Sequence, residues 1–281
     1  SAAPAAGNAY FVPSGMTLRT PTDSAADFAF AGDSLRFTSA SFVYKGITNA
    51  NTITVNNLIL DGSLVNNASN SSTPFILGGS ITVAGAGTST LFSNNATITV
   101  TAPISGNSGT LLLQTNANTG RQVILSGANT YTGNIQVTGT SGAVLAPTGK
   151  LAFAKNAVTG SYNTVTGAVA FEFSGTFTIG LTGAGTNVGD SHLLVDTSTL
   201  IENFTPTFAV EGWTKINDVW VSPGGDYQFI PSAGILARVD TDSDLDGLPD
   251  YWEVEHFGSI TAYGASDDPD DDFCTNLEEY E

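Results

Sequence analysis

Cysteine and methionine each occur once in this chain, and lysine and arginine together only eight times. A single thiol, Cys274, closes no internal disulfide, so the fold rests on packing and hydrogen bonds. Eight scattered basic residues make no basic patch, and phosphate binding needs one, which excludes nucleic acid as a partner. No apolar run approaches the roughly 18 residues that span a bilayer as a helix, so no membrane-spanning segment is expected. G-x-S-x-G, Walker A, dinucleotide-binding glycine and H-E-x-x-H patterns are all missing.

Acidic pairs are missing from the body as well. Between Ser34 and Gly160 the only carboxylate is Asp61, so two acids cannot be set astride a glycosidic bond there, and no enzyme activity is expected. His192 and His256 have no matched partner and read as structural residues. Acids beside Cys274 raise its thiol pKa and make it a poor nucleophile. For Trp213 and Trp220 core packing is favoured over stacking on sugars.

The acids that are present are concentrated at one end. From Asp240 onward there are 15 carboxylates and no Lys or Arg, against 11 carboxylates and 8 basic residues in 1–239. The formal net charge of −18 is therefore a local tail on a nearly neutral body. Within that tail, Asp242 to Glu253 reads D-S-D-L-D-G-L-P-D-Y-W-E. Asp242, Asp244 and Asp246 alternate, Gly247 makes the bend, Leu248 offers its carbonyl, Asp250 reaches in directly or through water, and Glu253 closes bidentately. Calcium, a hard cation, takes about six to eight oxygens, and this spacing supplies them. A second loop places Asp268, Asp270, Asp272, Asn276 and Glu279 at the corresponding positions. It carries Phe273 where the bend wants glycine, which predicts backbone strain. Between the loops, Pro249 through Phe257 reads as a short helix ended by Gly258.

The body is rich in Gly, Thr, Ser, Asn and Val, a composition of strands rather than helices. Short apolar-polar-apolar runs recur, as in Ile53-Thr54-Val55, Ile81-Thr82-Val83, Ile98-Thr99-Val100 and Ile135-Gln136-Val137. They predict stacked coils of irregular length, in which each coil relies on its neighbours to bury its inward side chains. The alternative is a Thr-rich antiparallel sandwich. From residue 160 the runs lengthen and aromatics gather, with Phe171, Phe173, Phe177, Phe208, Trp213, Trp220, Tyr227 and Phe229, which reads as an antiparallel unit.

The stretch Val123 to Val137, V-I-L-S-G-A-N-T-Y-T-G-N-I-Q-V, resembles the autotransporter-associated β-strand repeat over about one repeat, roughly residues 109–153. That family consists of secreted or surface-attached bacterial proteins with β-helical passenger regions, so the resemblance implies export and a β-helix. The tail resembles thrombospondin type 3 and dockerin-like Asp-rich repeats, with the second loop departing at Phe273 and Asp271. The beginning, Ser-Ala-Ala-Pro-Ala-Ala, resembles what remains after a signal peptide is removed. The last ligand lies two residues before Glu281, and the chain reads as a fragment of a longer protein.

These readings predict an all-β fold: a right-handed parallel β-helix, a C-terminal antiparallel β cap, and a short tail of calcium loops and helix. The expected divisions are an N-terminal arm (1–32), the β-helix (33–159), the cap (160–239) and the Asp-rich segment (240–281). The expected role is that of a secreted, non-catalytic structural or adhesive surface protein binding Ca2+. It self-associates through β edges, with the arm either donated to a neighbour or folded back on its own chain. The alternative role is a glycan-binding module of a larger extracellular enzyme.

Overall fold

Strict alternation organises the body: in Ile53-Thr54-Val55 the two aliphatic side chains are buried and the threonine between them is half-buried. One such run cannot enclose its own inward side chains, so runs stack in parallel, each supplying the cover for the next. The computed structural model describes residues 3–22, 26–46, 50–69, 72–117, 120–239 and 242–280. It is a β-solenoid of about 7 turns followed by an antiparallel sheet and a short helical tail.

The solenoid has three ladders. The first stacks Ala9–Val12, Ser34–Thr38, the second halves of Asn51–Asp61 and Phe75–Ala84, and Ile104–Ser105. It resumes with Lys150–Phe153, Thr176–Ile179 and Ala209–Val210. The second stacks Thr17–Arg19, Ser41–Tyr44, Leu64–Asn67, Thr88–Ser93, Thr110–Thr115, Asn134–Thr138 and Val165–Gly167. The third runs from Phe28–Ala29 through Ile98–Val100, Val123–Leu125, Ala143–Leu145 and Ala170–Phe173 to Ile201–Phe204. Leu58, Ile81 and Ile104 lie beside one another in successive coils, a step of 23 residues (58 to 81 to 104). The uneven spacing of the Ile-x-Val runs arises because they lie on different ladders: Ile53 and Ile98 on the third, Ile81 on the first, Ile135 on the second.

Corners need special chemistry. At Gly79, φ is +92° and a Cβ would overlap the Val55 carbonyl of the coil below, so only glycine fits. Asn67 is fully buried, and its Nδ2 donates to Thr73 O and to Thr97 O in the next coil, each at 3.1 Å. The Ser126–Gly133 motif crosses the first ladder without forming a strand. There Asn129 Oδ1 accepts the Ile104 N–H at 2.8 Å in place of a ladder carbonyl. Tyr131 sends its ring into the core and donates its hydroxyl to Gly109 O at 3.0 Å. Burial pushes that phenol up to about 12.

Two expected boundaries shift. The expected arm is not free: Ala9–Val12, Thr17–Arg19 and Phe28–Ala29 pair with later strands of the chain as a coil, the fold-back arrangement. Tyr10 and Val12 follow the inward alternation, and Tyr10 meets Phe30 edge-on at 5.4 Å. Among the described residues no strand covers the outer side of this coil, which holds a cavity of about 530 Å3 lined by Tyr10, Leu18, Phe28, Leu35, Phe42 and Ile53. The solenoid also runs well past residue 160, with parallel strands to Val210. Alternation of Phe171, Phe173 and Phe177 is the same in parallel and antiparallel strands, so the pattern did not distinguish them. These rings fill the late coils: Phe171 stacks on Phe173 at 4.3 Å, Phe173 on Phe204 at 4.8 Å, and Phe177 meets Phe153 at 4.8 Å.

The chain divides into two units, Ser1–Thr182 with Leu194–Glu211, and Gly183–Leu193 with Gly212–Glu281. In the second, Ser191–Leu193, Ile235–Arg238, Tyr227–Ile230, Val219–Val221 and Thr214–Ile216 form the antiparallel sheet in that spatial order. Phe229 and Leu236 are fully buried in it. Arg238, also buried, lies 3.0 Å from Asp226 with its guanidinium over the Tyr227 ring. The boundary expected at Asp240 lies outside the described residues.

Asn129→Ala removes the acceptor of a buried N–H and should cost about 1–3 kcal/mol. Urea unfolding compared with Thr130→Ala, an exposed neighbour, measures it.

Candidate metal centre

The two Asp-rich loops build themselves by hydrogen bonds from their own carboxylates. Asp242 accepts the Asp246 N–H at 3.2 Å and the Gly247 N–H at 2.9 Å, and Asp246 Oδ1 accepts the Leu248 N–H at 2.8 Å. The second loop repeats the pattern: Asp268 accepts from Asp272 at 3.2 Å and Phe273 at 3.0 Å, and Asp272 Oδ1 from Cys274 at 2.8 Å. Each loop brings three carboxylates together, Asp242, Asp244 and Asp246 in one and Asp268, Asp270 and Asp272 in the other, with one oxygen of each within 4.8 Å of the others. Both triplets could hold a metal ion.

Backbone angles match too. Leu245 and Asp271 have φ of +63° and +59°, and Gly247 and Phe273 have +103° and +76°. Phe273 therefore takes the bend that glycine takes in the first loop, with strain on the order of 1–2 kcal/mol, and its ring is 95% exposed. The thiol of Cys274 is raised by the Asp272 charge, as its acidic setting implies.

Beyond the triplets the loops differ. The helix α1 (Asp250–Phe257) follows Pro249 and ends at Gly258, φ +74°, whose N–H bonds Val254 O at 3.0 Å. On it Glu253 is 0% exposed, and neither carboxylate oxygen has a hydrogen-bond partner. Burial first, and then the charges of Asp244, Asp246, Asp250 and Asp242, push its carboxyl up to about 7. Asp244 is raised by desolvation and by Asp246 and Asp242. Asp250 has both oxygens engaged, accepting the Ser243 N–H at 2.7 Å and the Ser243 hydroxyl at 2.6 Å, so it braces the loop. Leu248 is fully buried.

In the second loop Asn276 opens α2 (Asn276–Tyr280) and is fully buried, with Oδ1 lacking a partner. Glu279 is exposed where Glu253 is enclosed, although neither glutamate belongs to the close group of three Asp oxygens in its loop. Its neighbour Glu278 accepts the N–H and hydroxyl of Thr275, whose Oγ accepts the Glu278 N–H, a reciprocal helix cap. Ser243 and Trp252 carried no metal-binding signal in the sequence. Trp252 is buried, stacks on His256 at 4.3 Å and meets Tyr280 at 6.2 Å, joining α1 to α2.

His192, His256 and Asp61 each have a partner in the fold. His192 donates Nε2–H to Ala184 O at 2.5 Å, and His256 donates Nδ1–H to Trp252 O at 2.8 Å. Asp61 pairs with Arg36 at 2.5 Å. Trp213 and Trp220 are half-buried. Comparison with protein-family models, curated proteins and solved structures finds no match.

A buried carboxylate with no donor is costly, so in chelator Glu253→Gln should raise the thermal midpoint, by about 2–4 °C if the relief is near 1 kcal/mol. Circular-dichroism melting measures it, and a fall in the midpoint would show that Glu253 is satisfied without a cation.

Proposed function

We propose that the chain is a secreted, non-catalytic structural or adhesive surface protein whose acidic tail is ordered by bound calcium. The observation that carries the calcium reading is Glu253: a carboxylate enclosed completely, left without any donor, and set among four further acids. A folded chain tolerates such a group when a cation supplies the missing charge. The donors are all oxygens, and the free pair on Glu253 suits a hard ion that accepts bidentate carboxylates. Asp242, Asp244, Asp246, the Leu248 carbonyl, Asp250 directly or through water, and Glu253 would hold it in the first loop; Asp268, Asp270, Asp272, Asn276 Oδ1 and Glu279 in the second. When bound, the ion neutralises carboxylates that otherwise repel one another.

The structural role is supported by the solenoid, whose only acid between Ser34 and Gly160 is tied to Arg36. Export is supported by the resemblance of Val123–Val137 to surface-protein repeats and by loops of the kind that fill at millimolar calcium. Self-association is supported by the open first coil, where Leu18 and Phe28 are 40% and 52% exposed. A second reading, a glycan-binding module, is favoured by a polar groove of about 340 Å3 lined by Asn107, Ser108, Thr132, Asn134, Asn156 and Ser161. Saturable sugar binding separates it from the first.

Calorimetric titration of the chelator-treated chain should show two calcium equivalents, falling to one in Asp244→Ala; no uptake would overturn the reading. Light scattering should show assembly of the calcium-loaded chain, lost in Leu18→Lys/Phe28→Lys with the solenoid still folded. A chain that stays monomeric at high concentration would remove assembly from the proposal.

A further inference from the structure

The two loops share one dipeptide. Between them the chain passes through Gly264-Ala265, and the Ala265 N–H donates to Asp246 Oδ2 at 2.8 Å. The carbonyl of that same Ala265 accepts the Leu277 N–H at 3.0 Å, at the start of α2. The Gly264 carbonyl accepts Asn276 Nδ2 at 2.9 Å, and the Asn276 N–H is taken by Asp267 O at 2.8 Å. Gly264 closes the turn by donating its own N–H to Asp267 Oδ2 at 2.8 Å.

One carboxylate of the first triplet thus grips the segment that orients the buried amide of the second loop. The fit is close: a Cβ on Gly264 would lie 3.1 Å from Asp246 Oδ2. The ring contact between Trp252, next to Glu253, and Tyr280 of α2 makes a second link. Each loop also carries its own buried, unpartnered oxygen, both Oε atoms of Glu253 in one and Oδ1 of Asn276 in the other.

We infer that the two loops bind divalent cations cooperatively, with Gly264-Ala265 transmitting occupancy of the first loop to Asn276 in the second. The inference rests on the calcium reading above. A cation that fixes Asp246 fixes the Ala265 peptide, and with it the start of α2 and the side chain of Asn276. The second loop then binds without the ordering cost it otherwise bears, which is positive coupling.

Coupling of binding free energies is reciprocal, and this makes the test strict. Calcium is titrated into the chelator-treated full chain and into Glu253→Gln, Asp270→Asn and Gly264→Val, with circular dichroism confirming that each is folded. Asp270 makes none of the bridging hydrogen bonds. Disabling the first loop with Glu253→Gln should weaken the second at least about fivefold, and Asp270→Asn should weaken the first by the same factor. Gly264→Val keeps every carboxylate; it should still bind two equivalents, now independently. Two equivalents in the unaltered chain, with the remaining site of each single-loop variant keeping its affinity, would overturn the coupling and leave the calcium reading standing. Absence of calcium uptake by the unaltered chain would overturn both.

Discussion

A coil of this solenoid cannot bury its own inward side chains, and nearly everything in the first unit follows from that constraint. Parallel ladders arise because each inward residue needs the equivalent residue of the next coil as its cover. Alternation of Ile, Val and Leu with Thr supplies one inward and one outward set per strand. Wherever a strand is interrupted, a side chain must replace the lost ladder bond, as Asn129 does for the Ile104 N–H. The same constraint explains the exposed Leu18 and Phe28, which are inward-facing residues with no described strand stacked on one side of them.

The tail obeys a different rule. Its order comes from carboxylates that accept backbone N–H groups of their own loops, so the acids that repel one another also set the turns that hold them together. Asp242 and Asp268 do this in parallel, and the agreement extends to left-handed residues at Leu245 and Asp271. Phe273 shows how strongly the pattern dictates the backbone, since it adopts the glycine bend despite the strain. Glu253 breaks the symmetry by being enclosed, while Glu279 is left in solvent.

Much of this was legible in the sequence, at the level of short-range pattern. The runs Ile98–Val100 and Val123–Leu125 are strands with those ends, and the helix from Asp250 to the stop at Gly258 is where its Pro and Gly signals placed it. Partnership was harder to read. Ile53 and Ile81 begin the same tripeptide yet lie on different ladders, so spacing between look-alike runs mixed two positions within a coil. The aromatic strands after residue 160 alternate as antiparallel strands do, and only their register with earlier coils identifies them as solenoid. In the tail the two Asp triplets could be read from spacing, but the hold of Ser243 on Asp250 and the Gly264-Ala265 bridge join groups that no local rule connects.

Asn67 has a consequence for how such a chain can change in length. Its amide reaches a carbonyl in its own turn, Thr73, and one in the coil that follows, Thr97, so corners of successive coils are keyed to each other. Loss of a single residue from a strand would turn its inward set outward, and loss of a few at a keyed corner would unhook the next coil. Length is therefore quantised in whole turns rather than in residues: a complete turn, 23 residues from Leu58 to Ile81 but 20 from Val123 to Ala143 and 31 from Ala170 to Ile201, can be gained or lost with the register above and below preserved.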